Sequence, residues 1–225
     1  EHSSCCRRTE LTAVLRAGLT IRSVAGVRKL LFISENAALA RHIFTSVKLF
    51  RNHGPEVLFQ KTHRFREHAV YQLDFSDMMD GATSDNFLAD CGITIAENGI
   101  EYNPWKPKTR CCRKAFLRGF YLATGSISDP DRSYHLEVSF QQRVMLEAFI
   151  GVLGEFGVEA KEIKRKGHLL AYLKEGQEIV DFLNITGAHT SLMKLENIRI
   201  MKEMRNQVNR LVNCETANLE KTVNA

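Results

Sequence analysis

The 225-residue sequence lacks the features that mark several common classes of protein. It has no run of eighteen apolar residues, which excludes a membrane-spanning helix, and nothing at its start reads as a signal peptide. No phosphate loop, dinucleotide fingerprint or Ser-His-Asp spacing is present. The sequence therefore argues against a membrane protein and offers no support for the common nucleotide-binding or hydrolytic enzymes.

The cysteines lack the spacing of a disulfide framework or of a standard zinc site. Four of the six form the adjacent pairs Cys5–Cys6 and Cys111–Cys112, which is not the usual C-x₂₋₄-C spacing. A four-thiolate zinc site would require the two helix starts to meet, and small buried apolar side chains are the simpler interpretation. We therefore predict a reducing, cytosolic protein with no metal and no cofactor.

The sequence has no large excess of positive over negative charge. Lysine and arginine number 31 against 26 acidic residues, for a net charge of +5 and a pI near 8.9. A hydrophobic fraction of 44% is ordinary for a globular protein with a core. This balance permits nucleic-acid binding without requiring it, so the position of the basic residues matters more than their number.

What the sequence does contain is an internal duplication. The string CCRRTELTAVLRAGLTI (5–21) returns as CCRKAFLRGFYLATGSI (111–127). Further matched pairs follow at offsets that shrink in steps, and each step falls in a predicted loop, where deletions are tolerated. Helix, strand and turn patterns occur in the same order after both strings. We predict an α+β fold built from an αββαββα unit used twice.

The same patterns suggest boundaries. We expect repeat 1 over 1–92, an exposed linker over 93–110, repeat 2 over 111–187 and a helical segment over 188–225, either one helix or two with a bend. An apolar stripe on that segment is expected to dock on the domain; its members are Met201, Met204, Val208 and Leu211.

Small residues recur four apart in both motif strings: Ala13 and Ala17 in the first, Gly119 and Ala123 in the second. Residues four apart lie on one helix face, and faces without bulk allow two backbones to approach closely. We predict that the two motif helices pack on a pseudo-twofold axis, with a sheet on either side forming a saddle.

The segment LRGFYLATG (117–125) resembles the LAGLIDADG motif of homing endonucleases. Together with the segment 196–222, the segment CCRKAFLRGFYLATGSISDPDRSYHLE (111–137) closely resembles the WhiA family of bacterial transcription regulators. That resemblance implies a degenerate LAGLIDADG domain joined to a C-terminal helix-turn-helix domain, and no helix-turn-helix is visible in this sequence. It also implies roles in sporulation, cell division and the cell cycle.

Active homing endonucleases carry an acidic residue at the eighth position of each motif, where two carboxylates hold a divalent metal. Here that position is Thr124 in the second motif; in the first motif it is Gly18, or no residue if the alignment contains a gap. Asp129 and Asp131 lie nearby, but their S-D-P-D context is simply a turn. We therefore predict no catalytic residues and no enzyme activity, with a working endonuclease as the rival hypothesis.

Basic turns occupy equivalent places in the two repeats. We expect them to follow the phosphate backbone of DNA, although solvated turns would have the same composition. The predicted DNA-binding residues are Lys61, Arg64, Arg66, Lys161, Lys164, Arg165 and Lys166, together with Arg22 and Arg28 of the first hairpin.

We therefore expect a monomeric, cytoplasmic and nucleoid-associated domain of a transcription regulator. It would bind DNA weakly through phosphates, with sequence specificity in the separate helix-turn-helix. The alternative is a protein-interaction module whose partner is another transcription factor or a sigma factor, with no membrane involvement.

Overall fold

The computed structural model describes residues 3–51, 53–62, 68–79 and 86–223. Repeat 1 begins with a helix whose small and apolar face is buried and ends with a short helix before Gly92. Its elements are α1 (Ser4–Gly18), β1 (Leu19–Val24), β2 (Val27–Ser34), α2 (Ala37–Phe50), β3 (Glu56–Thr62), β4 (His68–Asp74), a 3₁₀ turn (Ser76–Met78) and α3 (Phe87–Asp90). Asn36 caps α2 by accepting hydrogen bonds from the first-turn amides of Ala38 and Leu39.

A short antiparallel hairpin follows, formed by β5 (Ile93–Ala96) and β6 (Gly99–Tyr102). The prediction of an exposed linker over 93–110 is therefore wrong for its first part. Ile93 is buried, and the two strands have their own apolar alternation around a two-residue turn at Glu97 and Asn98, which is typical of a β-hairpin. The prolines that suggested a linker come later, after β6 has ended.

Repeat 2 has the same element order. Its elements are α4 (Arg110–Thr124), β7 (Gly125–Ile127), β8 (Leu136–Phe140), α5 (Arg143–Gly154), β9 (Lys161–Arg165), β10 (His168–Leu173) and α6 (Gly176–Thr186). The two four-stranded sheets share one topology, with strand orders β1-β2-β4-β3 and β7-β8-β10-β9. The predicted duplication of an αββαββα unit is confirmed.

The chain divides into two compact units. One contains 1–126 and 137–172, and therefore both motif helices and nearly all of both sheets. The other contains 127–136 and 173–225, so α6 groups with the C-terminal helix rather than with the sheet of its own repeat.

The C-terminal segment is one continuous helix, α7 (His189–Val223). Its first turns pack within the second unit: Lys202 donates a hydrogen bond to the Pro130 carbonyl at 2.6 Å, and Arg199 donates to the Gln177 side chain at 3.3 Å. No helix in the described part of the chain combines the length and the apolar character needed to cross a membrane.

The predicted docking of the α7 apolar stripe is wrong. Met201, Met204, Val208 and Leu211 are all exposed, with Leu211 at 62%. Helical spacing placed these residues on one side correctly, but a stripe of this kind packs only if another surface lies opposite, and periodicity carries no information about that.

Candidate nucleic-acid interface and the motif-helix pair

The two motif helices are in close contact at Gly119. A Cβ atom on Gly119 would lie 2.5 Å from the backbone carbonyl oxygen of Glu10 and 2.7 Å from the Cβ of Ala13. Ala13 and Gly119 occupy equivalent positions of the two motif strings, so matched positions face each other. Ala17 is 7% exposed, and Ala123 packs against the buried cluster of repeat 1. The absence of a side chain at Gly119 is what allows α1 and α4 to approach this closely.

A buried carboxylate spans the same helix pair. Glu10 of α1 bonds through Oε1 to His42 Nε2 of α2 at 2.8 Å, and Arg118 of α4 donates to Oε2. Burial alone would raise the pKa of Glu10, but the His42 hydrogen bond and the Arg118 charge outweigh it and lower that pKa below its ordinary value of 4.5. Our sequence analysis missed this network, although Glu10 is the only acidic residue of α1 and was a visible sign of it.

Neither motif helix presents a carboxylate at its C-terminal foot. A Cβ on Gly18 would fall 2.2 Å from the Phe32 ring, so the ring fills the space that an acidic side chain would need. The Thr124 hydroxyl donates to the Phe120 carbonyl at 3.3 Å. Asp129 accepts a hydrogen bond from the backbone amide of Asp131 at 3.1 Å, as expected of a turn. The pair of metal-binding carboxylates on which a LAGLIDADG nuclease depends has no counterpart at Gly18 and Thr124.

The opposite end of the helix pair carries the two cysteine pairs. The sulfur atoms of Cys5, Cys6, Cys111 and Cys112 all lie within 4.8 Å of one another. The helix starts therefore do meet, which was the condition for treating these residues as one group. A hydrogen bond from Thr109 and a contact with Cys6 lower the pKa of the Cys111 thiol to about 7, whereas burial raises that of Cys6 to about 12.

Four of the predicted DNA-binding residues lie on or just after β9. All five residues of this strand are exposed, and Lys166 follows in a turn with φ of 50°. Because side chains alternate along a strand, Lys161 and Arg165 share one face and Lys164 lies on the other. Glu162 is on the Lys164 face and accepts from Arg143 of α5 at 3.0 Å. The β9 cations are therefore divided between two faces of the sheet.

The predicted basic residues of repeat 1 are less concentrated. Lys61 lies in β3, but its side chain is not among the parts of the chain that the structure describes. Arg64 and Arg66 lie wholly outside the described residues. Arg22 is exposed and sits opposite Lys29 in the β1–β2 register. Arg28 instead donates to the Ala96 carbonyl at 2.8 Å, which directs it to the β5–β6 hairpin.

This fold and helix pair define the LAGLIDADG-like class. The chain matches a structure of a mesophilic variant of the homing endonuclease I-DmoI with a TM-score of 0.51 and 12% identity, covering 81% of this chain and 96% of that one. It matches full-length DUF199/WhiA from Thermatoga maritima with a TM-score of 0.68 and 21% identity, covering 100% of this chain and 70% of that one.

The sequence comparisons specify the family. The model described as the WhiA N-terminal LAGLIDADG-like domain matches residues 4–94, and the WhiA LAGLIDADG-like domain matches 113–205. The chain is 43% identical to the probable cell division protein WhiA of Ruminiclostridium cellulolyticum, covering 100% of this chain and 71% of that protein. The counterpart in Alkaliphilus metalliredigens is 42% identical, covering 99% and 71%. The chain belongs to the WhiA family.

Proposed function

We propose that this chain is a non-cleaving DNA-binding module of a bacterial transcription regulator. The observation that carries the proposal is the combination of a LAGLIDADG-like sheet edge rich in cations with the loss of both nuclease carboxylates. A homing endonuclease of the same fold, I-DmoI, has been crystallised with its target DNA. In this chain the cationic strand β9 is available to bind the phosphate backbone of DNA. Gly18 and Thr124 stand where a nuclease has the two carboxylates that bind its metal ion.

The contact is with phosphates rather than with bases. Lys161 and Arg165 alternate with the exposed Ile163, and a single face with two cations attracts the backbone without reading sequence. In repeat 1 the face of Arg22 also contains Lys29, but the Lys29 ammonium pairs with Asp74 at 2.6 Å. Binding is therefore weak, tolerant of sequence and strongly dependent on salt.

The test is a salt titration of duplex binding by the chain. Changing Lys161 and Arg165 together to alanine removes two phosphate contacts and lowers the slope of log K against log salt by about 1.8. The Lys164→Ala variant is the matched control, because this lysine belongs to the same strand but faces the other way. Supercoiled plasmid incubated with the protein and Mg²⁺ or Mn²⁺ should remain uncut. An equal effect of Lys164→Ala, or protein-dependent nicking, contradicts the proposal.

A second function is favoured by the exposed apolar residues of α7. Ile200, Met204, Val208 and Leu211 remain more than half exposed, which is typical of a surface that binds another protein. If the chain binds no duplex even at low salt, the interaction module becomes the better explanation.

A further inference from the structure

The four paired cysteines converge where the two motif helices begin. Cys5 and Cys6 occupy the first turn of α1, Cys111 and Cys112 the first turn of α4, and the sulfur atoms are all within 4.8 Å of one another. The group spans the helix pair, because Cys6 of α1 and Cys112 of α4 are packed together with Ala115 in one buried cluster. Four sulfurs thus form one group rather than two separate pairs.

Hydroxyl groups flank the sulfurs in the same way on both helices. Ser3 precedes α1, and its Oγ lies 3.1 Å from the Cys5 sulfur and 3.2 Å from that of Cys6. Thr109 precedes α4, and its Oγ1 lies 3.2 Å from the Cys111 sulfur. Hydroxyl donors of this kind orient and stabilise thiolate ligands from outside the coordination sphere. The positive ends of two 15-residue helices also favour negative charge here.

We propose that these four cysteines bind one Zn²⁺ ion as thiolates and so join the two repeats at the start of the motif helices. Zinc prefers four sulfur ligands in a tetrahedron with Zn–S distances of about 2.3 Å, which places the sulfurs roughly 3.8 Å apart. The present limit of 4.8 Å requires a contraction of about 1 Å at most. Four soft thiolates in this geometry select zinc over the hard cations Mg²⁺ and Ca²⁺.

The site is open to solvent on one side. Cys5 and Cys111 are exposed, whereas Cys6 and Cys112 are buried. A cleft of about 540 Å³ is lined by Cys5 and Cys112 together with Trp105 and Pro107, and it provides a route for the metal. The position is separate from the lost nuclease site, because Cys5 and Gly18 lie at opposite ends of α1, roughly 20 Å apart at 1.5 Å per residue.

The first experiment uses the reduced chain without alteration. Titration with Co²⁺, a spectroscopic probe for tetrahedral zinc sites, should produce thiolate charge-transfer absorption that saturates at one equivalent per chain. Adding Zn²⁺ should abolish that absorption by displacement, and elemental analysis of the purified protein should find one zinc. Zinc should also raise the melting temperature, since it binds the folded state.

The second experiment compares two serine variants. Cys5→Ser with Cys111→Ser removes two ligands at exposed positions, so it introduces no buried polar group, and it should lower zinc affinity at least about a hundredfold. Cys214→Ser is the matched control: Cys214 is exposed on α7 and lies far along the chain from the group. The control should bind Co²⁺ and Zn²⁺ like the original chain. Circular dichroism establishes that both variants are folded.

Four results would overturn the proposal. They are the absence of Co²⁺ charge transfer in the folded, reduced chain; retention of stoichiometric zinc by the Cys5/Cys111 variant; iron in place of zinc in the purified protein; and disulfides between these cysteines when thiols are trapped at cell lysis. The last result would assign the group to redox chemistry instead of metal binding.

Discussion

The two motif helices have the same length and the same place in their repeats, yet they bury different chemistry. In α1 the buried set includes Glu10 and Arg16, both charged. Arg16 donates to the carbonyls of Gly92 and Asn103, each at 2.9 Å, and so fastens the β5–β6 hairpin to repeat 1.

In α4 none of the buried residues is charged, and two of them, Phe116 and Phe120, belong to an aromatic cluster. The Phe116 and Phe120 ring centroids are 4.9 Å apart, and Phe120 continues to Phe140 of β8 at 5.4 Å and to Phe149 of α5 at 6.1 Å. The comparison teaches that the fold accommodates different buried side chains around the close contact of Ala13 with Gly119. Repeat 1 has an apolar core to which α1 adds hydrogen bonds from buried charged side chains, whereas α4 adds aromatic rings to the core of repeat 2.

The largest effect should come from the aromatic cluster of repeat 2. Phe120→Ala removes a fully buried ring that touches three others, so we expect unfolding to become easier by about 3–5 kcal/mol. Chemical denaturation followed by circular dichroism measures the change. The control is Phe59→Ala in repeat 1, where the ring is 50% exposed and a loss of at most about 1 kcal/mol is expected. If both variants lost the same free energy of unfolding, burial of the Phe120 ring would not explain the stability of repeat 2.

A smaller effect should come from the point where the helices meet. Gly119→Ala places a methyl group against the Glu10 carbonyl and forces the backbones apart, at a cost of about 1–3 kcal/mol. Gly151→Ala is the matched control, because Gly151 lies in α5 with no atom within 4 Å of its added Cβ. That change should be neutral or stabilise by up to about 1 kcal/mol. If Gly119→Ala left the free energy of unfolding unchanged, the close approach of the two helices would not depend on the absence of a side chain at Gly119.

The smallest effect should be the pH dependence carried by Glu10 of repeat 1. Its folded-state pKa is lowered, so the stability it contributes is fully present above its unfolded pKa near 4.5 and is lost as pH falls through the folded value. Glu10→Gln should therefore flatten the loss of stability below pH 4.5, by at most about 1.4 kcal/mol per pH unit. Melting curves from pH 6 to pH 3 provide the measurement. If the melting temperatures of the original chain and the Glu10→Gln variant fell in parallel with pH, Glu10 would not contribute to the pH dependence of stability.

Much of the architecture could be predicted because it depends on local pattern. The duplicated strings, the strand alternation and the helix periods predicted an αββαββα unit used twice, and the four-residue spacing predicted that the small-residue faces of the two motif helices pack together. The resemblance to LAGLIDADG and WhiA sequences pointed to the same fold. The missing carboxylates at Gly18 and Thr124 were visible at once, since residue identity alone rules out that ligand chemistry.

Other features of the structure depend on contacts between segments that are distant in the sequence. The convergence of Cys5, Cys6, Cys111 and Cys112 brings together residues 106 positions apart. From the sequence we considered this arrangement and set it aside, because the spacing of adjacent cysteines could not show that the two helix starts meet. The exposure of Leu211 on α7 was equally hidden, because periodicity defines a face without saying whether anything covers it.

The sequence by itself determined the repeat, the order of its helices and strands, and the loss of the nuclease acids, because these follow from short-range pattern and residue chemistry. Only the tertiary structure decided which β9 cations share a face, which charges are buried with partners, and that four thiols form one group. Those properties arise from side-chain directions and distances between segments remote in sequence, and such distances exist only once the chain has folded.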